Sequence, residues 1–281
     1  TEIYTLSLHD ALPICIASPL QQPYYPMDNL LPLYDREMRI DIEYPGVRKD
    51  ATSNAVRFIR PAPGGNFISF NQFNADSADS FIADQLAFFT PYHDQKLTWE
   101  VFSHDPQCEV LKEKLPAFGF ELDDEASVMC LDLSTAPKRL LAPPQHDIRR
   151  ITRPDGLADV IFVLEKVWGG NFGWVTERLG KHLEIPGYLS VYVAYVENQP
   201  ACAAWTYFHT ARFAILYAGS TLLEYRKSGL YTDILATRIL EIKNRGNQYA
   251  LVEAGEMSRP IVEKHGRSEE HTSELQSPNT I

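Results

Sequence analysis

Two periods alternate along this chain, and their order predicts the same short series of elements twice. In the second half the apolar positions predict a strand at residues 147–152 and a helix at 154–167, with apolar spacing at Leu157, Val160, Ile161 and Leu164. A second helix follows at 176–183, then strands at 189–196 and 201–208. These two strands flank the polar run Glu197-Asn-Gln-Pro200, which reads as a hairpin turn between β-branched and aromatic stretches. A strand opening at 213–217, a long helix at 230–245 and a strand at 249–254 complete the set. The first half repeats the closing part: a strand at 66–73, a helix through Phe89, a strand at 97–102, a helix at 106–117 and a strand near 126–133. Both halves end alike, Leu111-Lys-Glu-Lys-Leu-Pro-Ala-Phe-Gly119 against Ile261-Val-Glu-Lys-His-Gly266. Such self-similarity predicts two related α/β units in tandem. Between them Ser134-Thr-Ala-Pro-Lys-Arg-Leu-Leu-Ala-Pro-Pro-Gln145 carries three prolines and breaks both periods, so residues 135–146 are expected to run as an extended linker.

The chemistry concentrates between the strand at 213–217 and the long helix. The run Thr221-Leu-Leu-Glu-Tyr-Arg-Lys-Ser-Gly-Leu-Tyr231 is a basic, glycine-containing turn that opens a helix. Unpaired N–H groups and the positive end of the helix dipole make such a turn a site for a phosphate or pyrophosphate. At the matching place in the first half stands Asn74-Ala-Asp-Ser-Ala-Asp79. Its aspartates and serine are good caps for a helix, and the charge of the aspartates would repel a diphosphate.

Strand, Arg226-x-x-Gly229 turn, helix, strand and a final helix toward Gly266, in that order, resemble the GNAT superfamily of N-acetyltransferases. The pyrophosphate loop of that family reads (Q/R)-x-x-G-x-(G/A). Arg226 and Gly229 match it, Tyr231 stands where a small residue is usual, and Leu223 stands where many members carry proline. The resemblance covers about residues 147–266 and implies an α/β (α+β) fold of two GNAT-like units, each a mixed, mostly antiparallel sheet flanked by helices. The first unit, 15–134, is then a degenerate copy that binds no cofactor, and the second, 147–266, holds acetyl-CoA as cosubstrate.

The resemblance also implies that two strands splay apart near residues 217–219, leaving amides for the pantetheine arm and the thioester oxygen. Gly219 suits a bulge there. Ala218, Gly219, Arg226, Lys227, Ser228, Gly229, Leu230 and Tyr231 become the expected cofactor-binding residues. The nearest carboxylates by chain logic are Glu253, at a strand end beside the splay, and Glu224, just before the loop; Glu253 is the better base. Many members protonate the leaving thiolate with a tyrosine four residues before the helix-ending glycine, and here that position is Val262. Tyr217, Tyr231 or water remain as the acid, with Tyr217 and Glu253 taken as the catalytic pair. The aromatic, glycine-rich Trp168-Gly-Gly-Asn-Phe-Gly-Trp174 is expected to form a lid over an acceptor of apolar character, and His182 beside it to lie on the surface.

Composition adjusts this picture at the margins. Residues 5–14 and 267–277 resemble translated sequencing-library adapters, so 1–14 and 267–281 are set aside, and the second unit is expected to lack its last strand or strands. The chain carries −11 overall and the two ends hold two excess negative charges each, leaving −7 for the middle. That sign argues against nucleic acid as a partner; it fits a cationic or amine acceptor, and it fits better an acidic surface that serves solubility alone. No apolar run reaches membrane-spanning length. The cysteines Cys15, Cys108, Cys130 and Cys202 show no metal-ligand spacing, which predicts reduced thiols in a cytoplasmic protein and no metal site. Three readings follow: an acetyltransferase acting on a small-molecule primary amine, a non-catalytic acyl-CoA-binding or sensor protein, and a scaffold whose first unit mediates homodimer or partner contacts.

Overall fold

A computed structural model describes residues 30–255, 259–264 and 268–278. The first unit opens with a helix α1 (Leu30–Tyr34) that runs into a π-helical turn (Asp35–Ile40). It continues with β1 (Arg48–Ala51), β2 (Ala55–Ile59), β3 (Asn66–Asn71), α2 (Ala78–Phe89), β4 (Leu97–Phe102), α3 (Cys108–Lys114) and β5 (Phe120–Asp132). The second holds β6 (Asp147–Ile151), α4 (Leu157–Trp168), α5 (Trp174–Leu183), β7 (Leu189–Val196), β8 (Gln199–Tyr207), β9 (Phe213–Thr221), α6 (Leu230–Asn244), β10 (Tyr249–Ala254) and α7 (Arg259–Glu263). A last strand, β11, covers Ser268–Pro278.

The tandem repeat is written in the pairing. In each unit an antiparallel ladder leads into one parallel pair of only three rungs: residues 66–68 of β3 against 97–99 of β4, and 213–215 of β9 against 249–251 of β10. The two sheets join into one of eleven strands, in the order β1-β2-β3-β4-β11-β5-β10-β9-β8-β7-β6. The junction is an exchange. β5 of the first unit lies antiparallel to β10 of the second over six residue pairs, while β11 runs between β4 and β5. Residues 147–264 thus supply no strand of their own beyond β10 among the described residues, and β5 takes that flank. The adapter-like segment 267–277 falls largely in β11.

Burial is two-sided on the second sheet. One face, with Phe213, Ile215, Tyr217, Trp205, Tyr207, Tyr249 and Leu251, packs under α4, α5 and the first-unit residues Leu30, Tyr34, Met38, Ile42 and Tyr44. The other, with Ala214, Leu216, Ala250 and Leu131, packs under Leu235, Ile239 and Ile242 of α6. Each of those α6 side chains is wholly buried, worth roughly 1.5–3 kcal/mol apiece on transfer grounds. The tight turn between β7 and β8 places Glu197 and Asn198 at φ +49° and +62°, the mirror-type geometry of a two-residue hairpin. Where the sequence predicts an extended linker, residues 138–140 instead form a 3-10 turn, and Leu140 is fully buried against the α6 side. An apolar side chain beside an uncovered helix flank gains more from docking than the proline-rich backbone gains from staying extended.

The segment 30–44 is anchored to the first unit by a buried guanidinium. Arg39, 1 % exposed, donates to both oxygens of Asp105 at 2.8 and 2.6 Å, to Asp35 at 2.7 Å and to the Ser69 carbonyl at 2.9 Å. Its plane also lies 3.9 Å from the Phe102 ring centroid.

Candidate acyl-transfer site

The opening that positions the site follows from the short parallel ladder. After the Ile215–Leu251 rung, β9 and β10 share no further pairs, and β10 continues on β5 alone. Two residues beyond that rung on each strand stand Tyr217 and Glu253, so alternation brings both onto the α4 face, across the mouth of the splay. Tyr217 is buried and Glu253 half-buried.

The bulge sits where the glycine predicts it. Ala203 pairs with Ser220 and Ala204 with Ala218, so Gly219 is the extra residue of β9. Ala218 and Gly219 take φ +57° and +95°, which turns the backbone out of the pleat at the lip of the opening. A Cβ on Gly219 would meet Tyr231 Cε2 at 2.9 Å and Arg238 Nη2 at 3.7 Å, so Tyr231 packs against the bulge from the α6 side. Arg238 is 2 % exposed and its Nη1 donates to the carbonyls of Trp205 and Tyr217 at 3.3 and 3.2 Å. Burial lowers the pKa of its guanidinium.

The turn at 226–229 is open to water. Arg226, Lys227, Ser228 and Gly229 are exposed, while Leu230 is buried as the first residue of α6. Lys227 and Gly229 adopt φ +64° and +96°, and Gly229 caps the helix with no side-chain bond to its first amides. Among the described residues the amides of Lys227, Ser228 and Gly229 meet no acceptor. The loop is held from below: Arg226 Nε donates to the Thr221 carbonyl at 3.2 Å and Ser228 Oγ to the Tyr225 carbonyl at 2.6 Å. Adjacent amides at a helix start and two cations make this turn a place where an anion such as a diphosphate can be held. Asp233 in the first helical turn is kept from opposing an anion by the linker. It accepts from His146 Nδ1 at 2.7 Å and from the amides of Gln145 and His146 at 2.7 and 3.1 Å. Burial alone would raise the Asp233 pKa, but these bonds hold it below the usual carboxylate range. Glu224 lies exposed in the turn just before the loop.

Several residues reach the α4 face that sequence reasoning misses. Tyr34 packs edge-on to Phe102 and Phe213, at 6.1 and 6.3 Å between centroids. Burial first, then the carboxylates of Glu253 and Glu100, push its pKa well above the usual phenol range, so it stays a hydroxyl donor. His182 is not on the surface: it is buried, with Nδ1 2.7 Å from the Tyr207 hydroxyl, in a cluster with Tyr188, His209, Tyr44 and Tyr217. An amphipathic helix that turns its histidine inward must give the imidazole a polar partner, and Tyr207 supplies it. Glu100 and Tyr34 belong to the first unit, and only the tertiary fold brings them to this face; nothing local in the sequence marks them. The segment Trp168–Trp174 starts beside the bulge, with Trp168 Nε1 donating to Ser220 Oγ at 2.8 Å.

In the first unit a tryptophan stands at the last rung of the parallel pair, on the α2 side. Trp99 of β4 is wholly buried, its Nε1 donates to Asn71 Oδ1 of β3 at 2.7 Å, and its ring packs on Phe81 and Phe120. Asn74 caps the following turn by accepting from the Asp76 amide at 3.2 Å. The residues expected as 15–29 and the glycine expected to end α7 lie outside the described residues, as do the side chain of Val262 and Cys15. The described cysteines, Cys108, Cys130 and Cys202, are buried free thiols, and burial pushes that of Cys202 up to about 11. Among the described residues one His/Asp group has ligand-like spacing, Asp35, His104 and Asp105, and Arg39 already donates to both of its carboxylates. None of the described helices is long and apolar enough to cross a membrane.

No family profile and no curated protein sequence matches this chain. Its shape, by contrast, is shared widely among solved structures. A conserved protein of unknown function from Staphylococcus epidermidis superposes with TM-score 0.65 at 15% identity, over 88% of this chain and 98% of the other. A GCN5-related N-acetyltransferase from Kribbella flavida gives 0.63 at 10% identity, over 90% and 94%. A tandem GNAT protein from the clavulanic acid biosynthesis pathway gives 0.56 at 13%, over 86% of each chain. With the short parallel pair present in both units, these likenesses establish that the chain has the fold of the GCN5-related N-acetyltransferases, built twice in tandem.

Proposed function

We propose that the protein is an N-acetyltransferase that moves an acetyl group from acetyl-CoA to a primary amine of a small molecule, using the second unit. The observation that carries this reading is the splay of β9 and β10 after three rungs, with the 218–219 bulge at its lip and the exposed, amide-rich turn at 226–229 below it. Acyl-transfer needs a neutral amine, a polarised thioester carbonyl and a proton for the leaving sulfur. Arg226, Lys227 and the amides of 227–230 hold the diphosphate. Ala218 and Gly219 line the arm, and Tyr231 backs the bulge. Glu253 accepts the proton from the ammonium form of the acceptor. The amine nitrogen bonds the acyl carbon, the C–S bond breaks as the Tyr217 hydroxyl protonates the thiolate, the surplus N–H proton of the new amide passes through water to the Tyr217 phenolate, and Glu253 releases its proton to solvent. The first unit contributes by covering the acceptor face with residues 30–44.

Calorimetry with acetyl-CoA and a thiol-release assay over an amine panel test this. Arg226→Glu replaces a loop cation by an anion and weakens acetyl-CoA binding by about tenfold or more, the scale of one charge-assisted contact. Equal affinity for both proteins removes the site assignment. A second reading, acyl-CoA binding without turnover, is favoured by Val262 at the position where the resembling family places its acid. It predicts binding with no thiol release on any amine.

A further inference from the structure

One cation of the second unit is buried with no anion to meet it. Arg238, in the middle of α6, is 2 % exposed. Among the described residues no carboxylate pairs with it: the groups whose charge reaches it are the weak acids Tyr231, Cys202 and Tyr192. Such a charge works against the fold, and an apolar side chain of similar length would fill the space without that penalty. The guanidinium bonds the backbone instead. Its Nη1 donates to the carbonyls of Trp205 and Tyr217 at 3.3 and 3.2 Å, and its Nη2 stands 3.7 Å from the place a Gly219 Cβ would take. It therefore lies directly under the bulge.

Trp205 and Tyr217 oppose one another across β8 and β9. One nitrogen reaches both carbonyls only if each points into the space between the two strands, so the Tyr217 carbonyl faces β8. The Tyr217–Ala218 peptide is trans, and in a trans peptide the N–H points opposite to the C=O. The Ala218 N–H consequently faces away from β8, toward the side on which β9 has parted from β10. Resting on the acyl-transfer reading of that opening, we propose that Arg238 is a positioning residue of the reaction: through the Tyr217 carbonyl it holds the Ala218 N–H on the thioester carbonyl oxygen. A carbonyl that accepts from a cation polarises its own peptide unit, so the same N–H becomes a stronger donor. A donor fixed in this way stabilises an oxygen that gains negative charge as the amine adds more than it stabilises the bound thioester. Arg238 thus acts on the rate of acyl transfer, whereas the grip on the cosubstrate belongs to the turn at 226–229.

Infrared spectra of bound acetyl-CoA carrying carbon-13 at the thioester carbonyl, with kcat on the best amine of a panel, calorimetry and urea melts, test this on the wild type, Arg238→Met and Arg238→Lys. The thioester stretch on the wild type is expected below its position for free acetyl-CoA in water, and Arg238→Met moves it back up. Arg238→Met also lowers kcat by about a hundredfold, the scale of one misplaced oxyanion donor, while the acetyl-CoA dissociation constant changes little. Arg238→Lys, which keeps the charge without the planar fork, recovers part of both signals. A wild-type stretch no lower than in water overturns the proposal whatever the variants do. So does Arg238→Met with the parent's kcat, or with a loss of kcat that only mirrors the unfolded fraction in the melts. Each of these results leaves the transferase reading in place. No thiol release by the wild type on any amine overturns both.

Discussion

Gly219→Ala puts the bulge to a quantitative test. The residue sits at φ +95°, outside the small left-handed basin that alanine tolerates, and its new Cβ would stand 2.9 Å from Tyr231 Cε2. Holding a non-glycine residue in such a region costs about 1–3 kcal/mol. Reduced freedom of the unfolded chain returns about 0.4–1 kcal/mol. The ring adds a further cost because 2.9 Å is closer than real Cβ atoms approach, and Tyr231 is braced on the helix. A net loss of about 1–2 kcal/mol is expected, read as a lower urea midpoint at unchanged slope. Tyr231→Ala in the same background separates the causes: it removes the steric part and leaves the backbone part, so the double variant recovers only a fraction of the loss. Because the bulge amides would move with the backbone, calorimetry should also show weaker acetyl-CoA binding. An alanine variant that melts with the parent and binds with the parent's affinity refutes the argument at both levels.

Glu253→Gln should lower kcat by about a hundredfold or more with little change in the acetyl-CoA dissociation constant, measured by thiol release and calorimetry on the same preparation; a similar kcat for both proteins removes Glu253 as the base. Arg39→Met strands Asp105, a 6 % exposed carboxylate, and should destabilise by about 3–5 kcal/mol, with Asp105→Asn in the same chain restoring part of it; additive losses would contradict the coupling. Asp233→Asn tests the linker clasp by its pH profile. A carboxyl whose folded pKa is depressed contributes stability above its unfolded pKa of about 3.9 and loses it as pH falls through the folded value. The gap between parent and variant in urea melts should therefore be flat from pH 5 upward and close below about pH 4, and a gap that widens in acid reverses the sign of the argument.

What the sequence disclosed was local. The Arg226-x-x-Gly229 turn, the bulge at Gly219 and the hairpin at Glu197 and Asn198 each need a backbone shape that only certain residues allow, so composition marks them. Glu253 and Tyr217 were reachable because a parallel ladder and a period of two fix their facing. Tyr34 and Glu100 were not, since their meeting with the second unit depends on pairings between residues more than a hundred positions apart, such as Val128 with Glu253. His182 misled for a related reason: a histidine on an amphipathic helix looks solvent-facing until Tyr207 is known to lie beneath it. The linker turn at 138–140 escaped because its stabiliser, the uncovered flank of α6, lies far along the chain.

The β5–β10 pairing lets the first unit cover a border of the second unit's sheet. Over residues 249–254 the backbone amides and carbonyls facing away from β9 find partners in residues 127–132. Residues 147–264 released from the rest would bare that row as a straight, partly apolar border, the kind of template on which identical chains zip together into aggregates. The first unit thus acts as a built-in guard against self-association.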